Sequence, residues 1–143
     1  MSATVQLTGA EHAERLLPLL KEYAEKFQHL HERSANTLAR RATADPKEAE
    51  TLFPEIARLV CLFDTLVKPV TDVCRTASGL LEHTDLESSL WTELKLRLDE
   101  TEEHVRFSTV VVERLVETIS SDKRHLQEMR TLVEKTGRYK APF

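Results

Sequence analysis

Apolar residues recur along most of this chain at intervals of three and four, which places them on one face of an α-helix. The pattern predicts a first helix from about Gly9 to Ala42 and a second from Pro46 to about Glu82. The first apolar stripe comprises Leu16, Leu20, Tyr23, Phe27 and Leu30. The second comprises Ile56, Val60, Phe63, Val67, Val70, Cys74, Ala77 and Leu81.

A third helix, predicted from about residue 85 to Thr136, carries a seven-residue repeat. One row is apolar throughout: Trp91, Leu98, Val105, Val112, Ile119, Leu126 and Val133. Its companion row is mixed: Leu94, Thr101, Ser108, Leu115, Asp122, Met129 and Thr136. A heptad repeat kept over this length is typical of left-handed coiled-coil packing. The pattern therefore predicts one all-α domain, an antiparallel three-helix bundle with a long C-terminal coiled-coil helix and a flexible tail of residues 137–143.

The starts of the three helices are each marked by a capping box, a small polar residue followed three positions later by glutamate. The boxes are Thr8 to Glu11, Asp45 to Glu48 and Thr84 to Glu87. Three such matches, each before a helical apolar pattern, make these starts well defined.

Three prolines fall inside the helical patterns, where a proline removes a backbone donor and kinks the helix. The apolar stripe keeps its phase across Pro69, which indicates a kinked helix and not a turn. At Pro54 two interpretations stay open: a continuous second helix, or a separate short helix from Pro46 to Phe53. The remaining proline, Pro18, lies inside the pattern of the first helix.

The polar triplet Ser120–Ser121–Asp122 interrupts the third apolar pattern at the point where the second helix should run out. The heptad phase is kept across it, which favours one continuous helix whose Leu126, Met129 and Val133 project beyond the bundle. Such an apolar stripe needs a partner, most simply a second copy. The alternative is a short fourth helix after Ser121, folded over the connection between the first two helices.

Composition narrows the class of protein. The chain has 143 residues, 41% of them hydrophobic, with only 3 glycines and 5 prolines, which fits a helical domain. The net charge of −4 argues against nucleic acid and against broad attraction to anionic membranes. No apolar run is long enough for a transmembrane helix and no secretory signal is visible, so we expect a cytoplasmic protein.

Catalytic and metal-binding patterns were sought among the six histidines, the carboxylates and the two cysteines. The chain has no Glu-x-x-His or His-Glu-x-x-His spacing, no phosphate-binding glycine loop and no nucleophile elbow. Cys61 and Cys74 are thirteen residues apart on one predicted helix, too far to bond each other, and are expected to be buried and reduced. We expect no enzymatic activity, no cofactor and no metal.

Two short stretches resemble known families. EAETLFPEI, residues 48–56, resembles the Leu-Phe-Pro helix of hemerythrin-like bundles, but Ala44 stands where that family has a histidine, so the iron-binding function is not carried over. KEYAEKFQHL, residues 21–30, resembles the early helix of F-BAR-type membrane-binding dimers. This resemblance implies a membrane-associated helical dimer as a third-ranked function.

Three aromatic residues complete the candidate interface. Trp91, the only tryptophan, is either a core anchor at the base of the bundle or an interface hot spot. The tail GRYKAPF contributes Tyr139 and Phe143, either as a frayed end or as a docking peptide. We therefore expect a non-enzymatic adaptor or scaffold that forms a homodimer through the third helix. A small secretion or export chaperone that binds a partner helix is the alternative.

Overall fold

The computed structural model describes the backbone of residues 8–136 and the side chains of residues 8–124, with Gln127 and Thr131. In this part of the chain there are three α-helices and no strand: α1 (Gly9–Thr43), α2 (Pro46–His83) and α3 (Ser88–Thr136). Each helix packs against the other two. The prediction of an all-helical chain is therefore confirmed, while the predicted tail of residues 137–143 lies outside the described residues.

Two of the three predicted capping boxes place the helix starts as expected. The Thr8 side chain accepts a hydrogen bond from the backbone N–H of Glu11 at 3.1 Å. Asp45 accepts from the N–H of Glu48 at 2.8 Å, with Pro46 in the first turn. Each cap satisfies one of the N–H groups that a helix start leaves without a partner.

The third capping box is wrong, because Thr84 ends α2 instead of starting α3. Its backbone N–H donates to the carbonyl of Leu80 at 3.1 Å. The carbonyl of Glu87 accepts from the N–H of Trp91, and α3 begins at Ser88. The stretch between α2 and α3 is not helical, and within it the half-buried Leu86 packs against the core. The burial of this apolar side chain favours the non-helical stretch over a helix that starts at residue 85.

Both α1 and α2 run without interruption through their interior prolines. The separate short helix ending at Phe53 is therefore wrong. Pro18, Pro54 and Pro69 are all exposed. The carbonyl that each proline leaves unpaired lies four residues earlier, on the same exposed face, where water can satisfy it.

The packing of α1 against α3 is fixed by two buried hydroxyl groups. Thr101 Oγ1 lies 3.0 Å from the backbone carbonyl of Leu20 and 2.8 Å from that of Arg97 in its own helix, so its proton is shared between the two. Ser108 Oγ donates to the carbonyl of Phe27 at 2.8 Å. Both contacts with α1 join residues 81 positions apart, and both advance by seven residues along each helix. The two helices therefore run in the same direction with one register.

An ion pair extends this register to the end of α1. The Arg41 guanidinium donates to both carboxylate oxygens of Asp122, at 2.5 and 3.3 Å, and these residues are again 81 positions apart. The hydrogen bond to Asp122 raises the pKa of Arg41 further above its ordinary value. Asp122, one of the three polar residues in the Ser120–Asp122 triplet, thus closes the end of the α1–α3 contact.

Large and small side chains alternate along this α1–α3 register. Where α3 presents Thr101 or Ser108, α1 presents a large residue, Leu20 or Phe27. The same offset sets Ala13 against Leu94 and Ser34 against Leu115, and all eight side chains are fully buried. A small residue on one helix leaves room for a large one on the other, which allows the two helices to pack closely.

The second helix returns alongside the other two. Near the Ala44–Asp45 connection, Arg33 pairs with Glu55 of α2 at 2.7 Å. At the other end, Gly9 lies so close to Thr84 that a Cβ on residue 9 would collide with the threonine methyl group. Two buried apolar clusters fill the space between the helices, one of which is centred on Phe27, Ile56 and Leu115. The other is made by Ala13, Leu16, Leu20, Ala77, Leu94 and Leu98.

The two heptad rows of α3 are buried to different extents. The mixed companion row is the deeper one, since Leu94, Thr101, Ser108 and Leu115 are all fully buried. The apolar row starts at an exposed Trp91 and includes the half-buried Val105. Hydroxyls occupy the deepest positions because the carbonyls of α1 accept their hydrogen bonds, which removes the cost of burying them.

Prediction from the hydroxyl register. Ser34 and Ser108 are both fully buried, but Ser34 Oγ has no hydrogen-bond partner among the described residues. Ser34→Ala should raise the free energy of unfolding by about 1 kcal/mol, and Ser108→Ala should lower it by about 1 kcal/mol. The gain in helix propensity is the same for both changes, so their difference in urea titrations isolates the hydrogen bond. Equal effects would contradict the register.

Prediction from the core rows. Val112 is 3% exposed, whereas Val110, two residues away, is 50% exposed. Val112→Asp should destabilise the protein by about 3–5 kcal/mol, because it buries an unpaired charge. Leu62→Asp, at a 40% exposed position of α2 outside the candidate surface, is the control and should change stability by less than about 1 kcal/mol. Thermal unfolding of both variants measures the contrast, and similar melting temperatures would mean that α3 is turned differently.

Candidate interaction surface

Four large apolar side chains in the described part of α3, besides Trp91, are exposed. Leu96 is 53% exposed, Phe107 47%, Val110 50% and Val116 43%. Leu96 and Val110 occupy the same position of the seven-residue repeat. This position lies on the side of α3 opposite the two buried rows. Exposed apolar residues on one helix mark a surface suited to a partner when they recur along one side.

Charged side chains of both signs are exposed along α3. Asp99, Glu102 and Glu103 are exposed near its first third. Lys123 and Arg124 are exposed at the far end of the region with described side chains. Val110 and Val116 lie between the two groups, together with four exposed charged residues: Arg106, Glu113, Arg114 and Glu117.

The structure places Trp91 at the end of α3 that lies against the last turn of α2. Its indole N–H donates to the backbone carbonyl of Leu81 at 3.1 Å, and the side chain is 40% exposed. The ring is therefore held in place while one part of it remains accessible. It is not the buried core anchor that one of the two interpretations required.

The other predicted interface residues are not brought to the same place. Leu126, Met129 and Val133 belong to the helical backbone of α3, but their side chains lie outside the described residues, as do Tyr139 and Phe143 altogether. Position 126 is 35 residues from Trp91 on one helix, a separation of about 52 Å. Trp91 and the distal stripe therefore belong to opposite ends of the molecule.

A shallow cavity of about 300 Å³ opens between α2 and α3. Its lining combines apolar, polar and charged side chains: Val70, Thr71, Cys74, Glu102, Val105 and Arg106. Burial, with the nearby Glu102 carboxylate, raises the pKa of the Cys74 thiol to about 11. At neutral pH the thiol is protonated, which makes it a poor nucleophile.

Other groups capable of chemistry are scattered. Among the described residues, no three His, Cys, Asp or Glu side chains are arranged to hold a metal ion. The half-buried His31 ring lies 6.1 Å from that of Phe107, whereas His29 is exposed. The expectation that both cysteines are buried is wrong for Cys61, because it lies on the exposed side of α2.

Sequence reasoning missed the outward apolar residues of α3, although the signal was present. The apolar row contains only Val112 of the run Val110–Val112. Counting the same heptads places Val110 on the outward side, where an apolar residue adds nothing to the monomer core. Val116 could have been found less easily, since its row borders the core.

Comparisons with known protein families, with curated proteins and with solved structures found no match. No helix in the described part of the chain has an apolar stretch long enough to cross a membrane. The candidate surface must therefore be interpreted from its own geometry and charge.

Prediction from the two thiols. At neutral pH an alkylating reagent should modify Cys61 rapidly, because it is exposed, and Cys74 slowly, because it is half-buried and its pKa is raised. The variants Cys61→Ser and Cys74→Ser, followed by intact mass, separate the two rates. The remaining thiol of Cys61→Ser should react faster as the pH rises toward 11. Equal rates in the two variants at neutral pH would contradict the packing around Cys74.

Proposed function

We propose that the protein is a non-enzymatic helical interaction module, an adaptor or scaffold, that self-associates through the distal part of α3. The observation that carries this proposal is the continuation of α3 as one helix through Ser120–Asp122 to Thr136. A separate fourth helix after Ser121 does not form. The distal part is defined here as residues 125–136.

The distal part of α3 extends past the other two helices. Since α1 ends at Thr43 and the α1–α3 offset is 81 residues, the end of α1 is level with residue 124 of α3. The helix continues for twelve more residues, about 18 Å. Neither α1 nor α2 extends alongside this segment, because α1 ends and α2 begins at the Ala44–Asp45 connection.

The sequence of the distal part supports a protein partner. The heptad row continues there with Leu126 and Val133, and the companion row with Met129. Each such side chain left in water forgoes about 1.5–3 kcal/mol of burial energy. A partner helix that buries these residues supplies what the monomer bundle lacks, and a second copy is the simplest partner.

A second candidate function is a small export chaperone that holds a partner helix against the body of the bundle. The observation in its favour is the open cavity between α2 and α3, whose apolar lining includes Val70, Cys74 and Val105. In this case the free apolar surface lies along the body. The two functions therefore differ in which surface binds.

Prediction from the distal segment. Changing Leu126, Met129 and Val133 together to Ser should convert a dimer into a folded monomer, because these positions lie past the end of the monomer bundle. Light scattering with size-exclusion chromatography measures the mass, and a circular dichroism melt measures the fold. The matched control is the change of the exposed Leu62 to Ser, which should leave the mass unchanged.

The possible results separate the alternatives. A monomeric parent would overturn self-association and favour the chaperone, and a variant that stays dimeric would place the contact elsewhere. Loss of the folded state in the triple variant would mean that the distal residues stabilise the bundle itself. Only a folded monomeric variant of a dimeric parent supports the scaffold.

A further inference from the structure

We propose that Thr43, the last residue of α1, is a phosphorylation site for an arginine-directed protein kinase, and that the Arg41–Asp122 ion pair limits access to it. The site lies in the sequence RRAT, residues 40–43, where α1 ends. It is independent of the proposed self-association, so either can hold without the other.

The sequence around Thr43 has the charge pattern of a kinase substrate. Thr43 is the only serine or threonine of the chain that has arginine both two and three residues before it. Guanidinium groups form paired hydrogen bonds with carboxylates, and kinases select substrates by such charge patterns. Ser78 and Thr109 have arginine only at the third position before them, so they are weaker matches within the same chain.

The hydroxyl of Thr43 is exposed and weakly held. In the helix interiors, threonine hydroxyls donate to the carbonyl four residues earlier, for example at 2.6 Å in Thr71 and 3.1 Å in Thr51. The Thr43 hydroxyl instead lies 3.4 Å from the carbonyl of Arg40, which is too long for a strong hydrogen bond. The oxygen of Thr43 is therefore available to accept a phosphoryl group.

The transfer to this oxygen follows ordinary kinase chemistry. Thr43 Oγ1 attacks the γ-phosphorus of ATP, so that a new O–P bond forms while the bond from this phosphorus to the β–γ bridging oxygen breaks. The hydroxyl proton passes to a carboxylate of the kinase, and ADP leaves. The kinase and ATP come from outside, and the chain supplies the acceptor oxygen and the two arginines.

The last turn of α1 is attached to the bundle through Arg41. The other three residues of RRAT are exposed, whereas the half-buried Arg41 donates to both carboxylate oxygens of Asp122. Arg41 and Thr43 are two residues apart, so on a helix they point to different sides. A kinase that binds both arginines and the hydroxyl therefore needs this turn to open, which breaks the ion pair.

The segment after Thr43 is already extended. Ala44 and Asp45 have ψ angles of 141° and 169°, so the helix ends at Thr43 itself. The last four carbonyls of a helix lack intrahelical partners, and terminal turns open with little loss of free energy. The Arg41–Asp122 pair is therefore the main barrier to an extended segment over residues 40–45.

A phosphate on Thr43 acts back on this ion pair. It carries a charge of about −1.5 to −2 at pH 7 and offers Arg41 a second anion. It also lies at the C-terminal end of α1, where the helix dipole disfavours negative charge. Phosphorylation therefore weakens the contact between Arg41 and Asp122 and lowers the stability of the α1–α3 pair.

Treatment of the intact protein with ATP, Mg²⁺ and the catalytic subunit of cyclic-AMP-dependent protein kinase tests the proposal. The parent should gain one phosphate, mapped to Thr43 by tandem mass spectrometry, and Thr43→Val should gain none. Asp122→Asn should be modified about threefold faster or more, because Arg41 is released. The matched control is Glu55→Gln, which breaks the Arg33–Glu55 ion pair between α1 and α2 and should leave the rate unchanged.

Two measurements show that a faster rate does not come from general unfolding. Circular dichroism melts report the fold of each variant, and Asp122→Ser replaces an Asp122→Asn variant that unfolds. Ser78 and Thr109 lie in helix interiors and are partly buried, so both should stay unmodified in a folded variant.

Each result decides the proposal. A parent without phosphate at Thr43, or a Thr43→Val variant that is modified as fast as the parent, overturns the site. Equal rates for the parent and a folded Asp122→Asn variant overturn the role of the ion pair, as does an equal acceleration in Glu55→Gln. The phosphorylated parent should unfold at a lower temperature than the unmodified parent. An unchanged or higher melting temperature would contradict the weakening of the α1–α3 pair.

Discussion

The fold depends on the packing of α1 against α3 at one constant offset. Two buried hydroxyls, Thr101 and Ser108, donate to carbonyls of α1, and the Arg41–Asp122 pair closes the end. Since each contact advances by whole heptads, a shift of either helix breaks all of them at once and also sets large side chains against large ones. The register is therefore specified jointly by hydrogen bonds and by side-chain volume.

The helical elements could be predicted from the sequence because they depend on local signals. The spacing of apolar residues predicts the three helices, and the capping residues Thr8 and Asp45 predict where the first two begin. Thr84 could not be assigned correctly, since it suits the end of one helix as well as the start of the next. In the structure Leu86 packs against the core within the connecting stretch, and such a contact depends on the tertiary fold.

The interaction surface was harder to predict for a related reason. A mixed row containing Thr101 and Ser108 resembles a solvent-facing row until the carbonyls of α1 are known to accept its hydroxyls. Val110 lies outside both heptad rows, so the repeat gives no information about its surroundings. The distal stripe, by contrast, follows from the heptad phase, and the continuous backbone of α3 agrees with that part of the prediction.

The central claim is that α3 continues as one helix beyond the end of the bundle. The most direct test is the distance between spin labels at the exposed positions Glu103 and Gln127, measured by pulsed electron paramagnetic resonance. Dilution with unlabelled protein removes distances between copies. A continuous helix predicts about 36 Å between the labelled backbone positions. A distance of about 20 Å would mean that the chain folds back after Ser121 and would contradict the account.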